Sequence, residues 1–184
     1  AEALGDSIFD SMRRAFFADT DKDPYVRFEE AIKAVNKVLA EKKEHKVSKF
    51  IGNLHIIIAA IVGNDLFLTQ CGDAEGYLIR RRLCSNVSEG LADEQSPDVF
   101  TNIASGTLEP HDIVFLNSTR LLRYISKTYL AKICSGKNLS SSLADLKDFL
   151  ATEVLSKIAI IAIQIQEVAP VLSTQEQGQI VAHL

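Results

Sequence analysis

Three aspartates at alternate positions, Asp19, Asp21 and Asp23, are followed by Val26 and then Glu30. They fall on positions 1, 3, 5, 8 and 12 of a calcium-binding EF-hand loop, where carboxylate oxygens replace the water lost by a hard cation. Position 6 of such a loop needs a residue with positive φ. Here it is Pro24, whose ring fixes φ near −65°. Proline also lacks the N–H that braces the first aspartate. An acidic linker between two helices, with Asp23 as cap and Pro24 in the first helical position, fits the same residues without that conflict.

Other chemistry-bearing residues are scattered. Asp73 follows Gly72 at a strand end, where a carboxylate can ligate a metal or satisfy turn N–H groups, and with no partner carboxylates nearby the second is preferred. His45, His55, His111 and His183 have no carboxylate or cysteine at ligand spacing, and His55 reads as a core histidine within an apolar strand. Ser85, Ser88, Ser105 and Ser118 lack a Gly-x-Ser-x-Gly elbow. Arg80–Arg82 could meet a phosphate or could form a solvated strand end. Cys71, Cys84 and Cys134 are odd in number and widely spaced, which points to reduced thiols.

The elements that must position these residues begin with two helices. Leu4, Ile8, Met12 and Phe16 share one helical face, and Phe28, Ile32, Val35 and Leu39 repeat the pattern. Phe50–Val62 and Asp65–Cys71 are rich in β-branched and aromatic residues around Gly63–Asn64, a two-residue hairpin signal. Gly76–Arg82 reads as a third strand, Ser85–Pro97 as a loop, and Asp112–Leu116 as a short buried strand after the turn Glu109–Pro110–His111. Leu121, Leu122, Ile125 and Tyr129 predict a third helix. Leu143, Leu146, Leu150 and Val154 predict a fourth, with Ser140–Ser142 available for its N-cap. Ile158–Ile165 closes as a strand apolar on both faces, hence a central one. This order is not a βα alternation; it predicts an α+β layered domain of antiparallel strands between helices.

With 184 residues the chain supports one domain, set at 1–166 with a weakly patterned tail at 167–184. Twenty basic against twenty-four acidic residues give a net charge of −4, so no broad positive field exists to hold nucleic acid or an anionic membrane. The longest apolar runs fall far short of the ~20 residues that cross a bilayer. No secretory leader is visible at the N-terminus, so a cytoplasmic location is expected.

Three stretches resemble the metal-dependent protein phosphatases of the 2C type. GNDLFLTQCGDAEGYLIR at Gly63–Arg80 is similar to the family hairpin in which Gly-Asp-Ser-Arg leads into an aromatic and Leu-Ile-Arg. SGTLEPHDIVFLNSTRLL at Ser105–Leu122 resembles the stretch in which Leu-x-Pro-x-Asp precedes a strand and then Thr-Asp-Gly-Leu. SKIAIIAI at Ser156–Ile163 stands where the family has Asp-Asn-x-Thr and an apolar strand, and the opening helix pair resembles the one after Asp-Gly-x-Gly-Gly.

The resemblance implies an α/β/β/α sandwich lacking the family's first strands, and an active site that has lost its acids. In that family a pair of divalent metals, held by carboxylates, activates the attacking water. The aspartate of Thr-Asp-Gly is Thr119 here, the glycine after it is Arg120, and the Asp-Asn pair is Ser156–Lys157. The Asp-Gly-x-Gly-Gly segment has no counterpart. Asp73 is the possible survivor. The expectation is a pseudophosphatase with no cofactor, working through a protein partner or through self-association at an exposed sheet edge. The alternative is an active metal-dependent serine/threonine phosphatase, using manganese or magnesium, whose missing ligands come from an N-terminal segment or a partner.

Overall fold

The computed structural model describes residues 2–44, 54–93, 95–135, 138–153 and 158–167. Two antiparallel sheets lie face to face between two helical layers, as the apolar patterning requires. Helices α1 (Glu2–Phe16) and α2 (Pro24–Glu44) form the first layer. Beneath them lies a sheet of β1 (Ile56–Val62), β2 (Asp65–Cys71) and β5 (Ala104–Thr107), in the order β1-β2-β5. The second sheet runs β4-β3-β6-β7, from β3 (Glu75–Arg80), β4 (Leu83–Asn86), β6 (Ile113–Asn117) and β7 (Ile160–Gln164). Helices α3 (Lys127–Cys134) and α4 (Leu139–Glu153) cover its outer face. No described helix is long and apolar enough to cross a membrane.

Three apolar clusters hold the four layers together. Ile8, Phe28, Ile32 and Val35 from the helices meet Ile58 and Phe67 of the first sheet. Leu66, Leu68, Val114 and Leu116 fill the space between the sheets. Tyr77, Phe115, Leu130 and Leu146 close the second sheet against α3 and α4. Alternation along β2 sends Phe67 and Cys71 one way and Leu66 and Leu68 the other, because successive strand side chains point to opposite faces. A buried amide adds a clamp: Asn36 on α2 donates to the Phe100 carbonyl at 2.7 Å and accepts the Phe100 N–H at 3.0 Å.

Turn chemistry sets the register. Gly63 has φ 58°, the conformation that the first position of a type II′ hairpin requires, and Val62 sits opposite Asp65. His111 follows Pro110 with φ 72°, and the Asp112 N–H donates to the Glu109 carbonyl, a type II arrangement.

Several sequence expectations change. Arg81 and Arg82 are not strand but turn, with φ 51° and 65°, and they return the chain into β4, which begins two residues before the stretch read as a loop. β5 is a further strand, polar and exposed, which hid it. The third helix starts late: Leu121–Arg123 is a single 3₁₀ turn, and α3 begins after the Ser126 cap. The cap of α4 is Asn138, which accepts the N–H groups of Ser140 and Ser141, rather than the serines themselves. Among the described residues β7 is not central but the last strand of its sheet, with Ile161 60% exposed. The first strand begins at Ile56, with Leu54 and His55 outside it, while residues 50–53, Val154 and residues 168–184 of the tail lie outside the described residues.

Candidate functional site

The two sheets open at one end, where β2 passes into β3 and β6 ends. Gly72 has φ 64°, and a Cβ there would lie 2.1 Å from the Leu54 carbonyl oxygen, so only glycine allows the chains to cross so closely. The next residue, Asp73, donates its N–H to His55 Nδ1 at 2.8 Å. His55 is therefore an exposed turn partner and not the core histidine expected from the sequence.

Opposite Asp73 stands the end of β6. Asn117 is buried and donates to the Glu75 carbonyl at 3.0 Å, and its Oδ1 accepts the Thr119 N–H. Ser118 is bonded twice to Ala159, through its N–H and its hydroxyl. This double lock fixes the turn in which Thr119 and Arg120 stand. Arg120 Nε then reaches Asp73 Oδ1 at 2.7 Å, with the carboxylate about one-third exposed and the guanidinium half exposed. Residues 47 apart in sequence thus form an ion pair because β3 and β6 pair in the register Glu75↔Asn117.

A cleft of about 870 Å³ surrounds this pair, lined by Leu54, Gln70, Asp98 and Lys43 among others. A smaller one of about 390 Å³ adjoins it through Gln70 and Arg120 and reaches Glu75, Ser88 and Lys127. The Gln70 side-chain oxygen is buried with no hydrogen-bond partner among the described residues, a feature that no sequence motif signals. Glu75 is engaged by the Tyr77 hydroxyl, whose proton is held well above the usual phenol range by burial and by that carboxylate. Burial pushes the Cys71 thiol up to about 11 and Cys134 to about 12, and raises Cys84 as well, so none of the three is a thiolate nucleophile at neutral pH.

Likeness to known proteins lies in structure and not in sequence. No known family profile matches the chain, and no curated protein matches it either. Solved structures do. The Mycobacterium tuberculosis serine/threonine phosphatase PstP/Ppp aligns with a TM-score of 0.67 at 14% identity, covering 90% of this chain and 83% of that one. PppA, a regulatory component of the type VI secretion system in Pseudomonas aeruginosa, aligns at 0.62 and 14%, over 90% and 80%. The fold is that of the 2C-type serine/threonine phosphatases. The PstP catalytic domain has also been solved with two manganese ions, at the same TM-score and identity.

The described residues around Asp73 and Arg120 do not fit a pair of divalent metals. Among the described residues, no three His, Cys, Asp or Glu side chains lie close enough together to hold a metal ion. Asp73 meets a guanidinium, and Thr119 offers a neutral hydroxyl. Two divalent cations need several carboxylate oxygens, and a fixed positive charge beside them opposes their binding. Ser156 lies outside the described residues, so only its identity bears on the site.

The acidic linker is also resolved. Asp23 Oδ1 accepts the N–H groups of Tyr25 and Val26, capping α2 with Pro24 as its first residue. Asp19 accepts the Asp21 N–H, and Glu30 is paired with Lys22 at 2.7 Å. Three of the four carboxylates in the EF-hand spacing thus have partners within the linker and the helix start.

Proposed function

We propose that this chain is a catalytically inactive 2C-type phosphatase-like domain that acts as an interaction or regulatory module. The observation that carries the reading is the Arg120–Asp73 ion pair: the acid at the strand end, where the resemblance calls for a metal ligand, is neutralised by a side chain. Thr119 and Ser156 stand at positions where the resemblance calls for aspartates. Without those oxygens nothing here lowers the pKa of a water enough to make it a nucleophile at neutral pH. Among the described residues of the cleft, no nucleophile is hydrogen-bonded to a side-chain base.

The test is turnover of an aryl phosphate and of a phosphopeptide by purified protein with manganese or magnesium. The expected result is none above the metal-only background. Metal-dependent turnover that disappears in Asp73→Ala would overturn the proposal and favour an active phosphatase with ligands supplied from elsewhere.

A further inference from the structure

Away from the cleft, the two sheets share one open side. β1 ends the first sheet and β7 ends the second, and among the described residues neither strand has a second neighbour. The hairpin fixes which backbone groups face outward on β1. Residues flanking a two-residue turn exchange hydrogen bonds, so Val62, Ala60, Ile58 and Ile56 bond to β2. Ile57, Ala59 and Ile61 therefore direct their N–H and C=O groups away from it. On β7, the Ala159 carbonyl accepts the Ser118 N–H and the Ile165 N–H donates to Asp112, so the odd-numbered residues bond to β6. Ile160, Ala162 and Gln164 face outward.

Both edges border one apolar groove of about 600 Å³. Ile57 and Ile61 line it from β1, Ile161 and Ile163 from β7, and Phe9 and Met12 from α1. Phe9 is 57% exposed and Ile161 60%. Edge strands of monomers are blunted by lysine, proline or bulges. IIIAAIV and IIAIQ carry none of these.

We propose that a second copy of this chain covers this side, with both sheets continuing across one two-fold axis. Antiparallel pairing of β1 with its counterpart about Ala59 sets Ile57 opposite Ile61 and Ile56 opposite Val62. Pairing of β7 about Ala162 sets Ile161 opposite Ile163. Each central alanine is an outward-facing residue, as a hydrogen-bonded pair on the axis requires, and no register brings like charges together. The size also suits a dimer. An edge ~23 Å long, across two sheets ~10 Å apart and a helical layer, presents ~700 Å², against the ~800 Å² per partner of a standard interface. The inference rests on the sheet edges alone and stands whether or not the cleft is catalytic.

Sedimentation of the 184-residue chain from about 1 to 100 µM tests it. The expected species is a dimer. Ile161→Lys and, separately, Phe9→Lys should each weaken it at least ~10-fold while far-UV circular dichroism stays unchanged. Leu83→Lys, on the opposite edge of the second sheet, should leave the mass as it was. A monomer throughout the range, or a dimer that both groove variants leave intact, overturns the proposal. So does a monomer that associates only after deletion of residues 168–184, since the chain's own tail would then be the cover.

Discussion

β3 and β6 carry an arginine–aspartate pair at each end, and the two pairs are built differently. At the far end, Arg80 grips Asp112 through Nε and a terminal nitrogen at 2.6–3.2 Å, and a second terminal nitrogen meets Glu109 at 3.0 Å. Asp112 is nearly inaccessible and also accepts the Glu109 N–H at 2.7 Å. At the cleft, Arg120 and Asp73 share one contact in partial solvent. The first pair is a fork on a buried carboxylate whose lone pairs are satisfied; the second is a surface pair in a site lined by mixed charges. Ion-pair chemistry is the same at both ends. Burial decides whether it holds the sandwich together or stands as a surface contact beside the cleft.

The largest expected effect breaks the buried pair. Asp112→Ala strands the Arg80 guanidinium and the Glu109 N–H, and should cost ~3 kcal/mol, at the low end for buried pairs because Arg80 is partly solvated. Thermal unfolding should show a drop of roughly 6–12 °C for a domain of this size. A loss under 1 °C would remove the contrast.

Acid should act through the same carboxyl. Burial alone would push Asp112 up, but the Arg80 hydrogen bonds, the Glu109 N–H and the charges of Arg80 and Arg81 outweigh it and hold the group below its ordinary value. The contribution is therefore complete above the unfolded value near ~3.9 and fades as pH falls through the folded one. Urea unfolding of wild type and Asp112→Asn should give a gap that is constant from pH 7 to about 5 and narrows below about pH 4. A gap that widens in acid would contradict the assignment.

Arg120→Ala sharpens the other side of the comparison. It should change stability by no more than ~0.5 kcal/mol in urea unfolding, as exposed pairs do. Combining Thr119→Asp with Ser156→Asp should yield no manganese-dependent hydrolysis, because Arg120 still holds Asp73. Measurable turnover in that double variant would mean that the remaining groups already form most of a site. Smallest of all, calcium at up to ~10⁻⁵ M, the weaker end of sensor affinities, should leave calorimetry traces flat, with Asp19→Ala indistinguishable from wild type.

What the sequence disclosed follows from where its signals are local. Helical spacing in α1 and α2, the Gly63–Asn64 turn and the Glu109–Pro110 turn each need only neighbours in the chain, and all were legible. β4 was not, because its hairpin turns on two arginines in place of Asn-Gly. β7 reads as central because a strand beside an apolar groove has the composition of a central one, though among the described residues it ends its sheet. Thr119 and Ser156 are legible as neutral residue types, and only the resemblance sets them against aspartates. The pairing of Asp73 with Arg120 and the unpartnered Gln70 oxygen are not legible in this way. Both depend on the register between distant strands and on burial, which single residues do not encode.

The Arg81–Arg82 turn has a consequence for how far this domain stands from its own optimum. Two side-chain-bearing residues are held in the left-handed region, at ~1 kcal/mol or more each, with one exposed contact to Glu109 as visible return. Asn-Gly would adopt the same turn with little strain. Headroom of that kind, remote from both the cleft and the open edges, gives the sequence room to absorb destabilising change elsewhere without losing the fold.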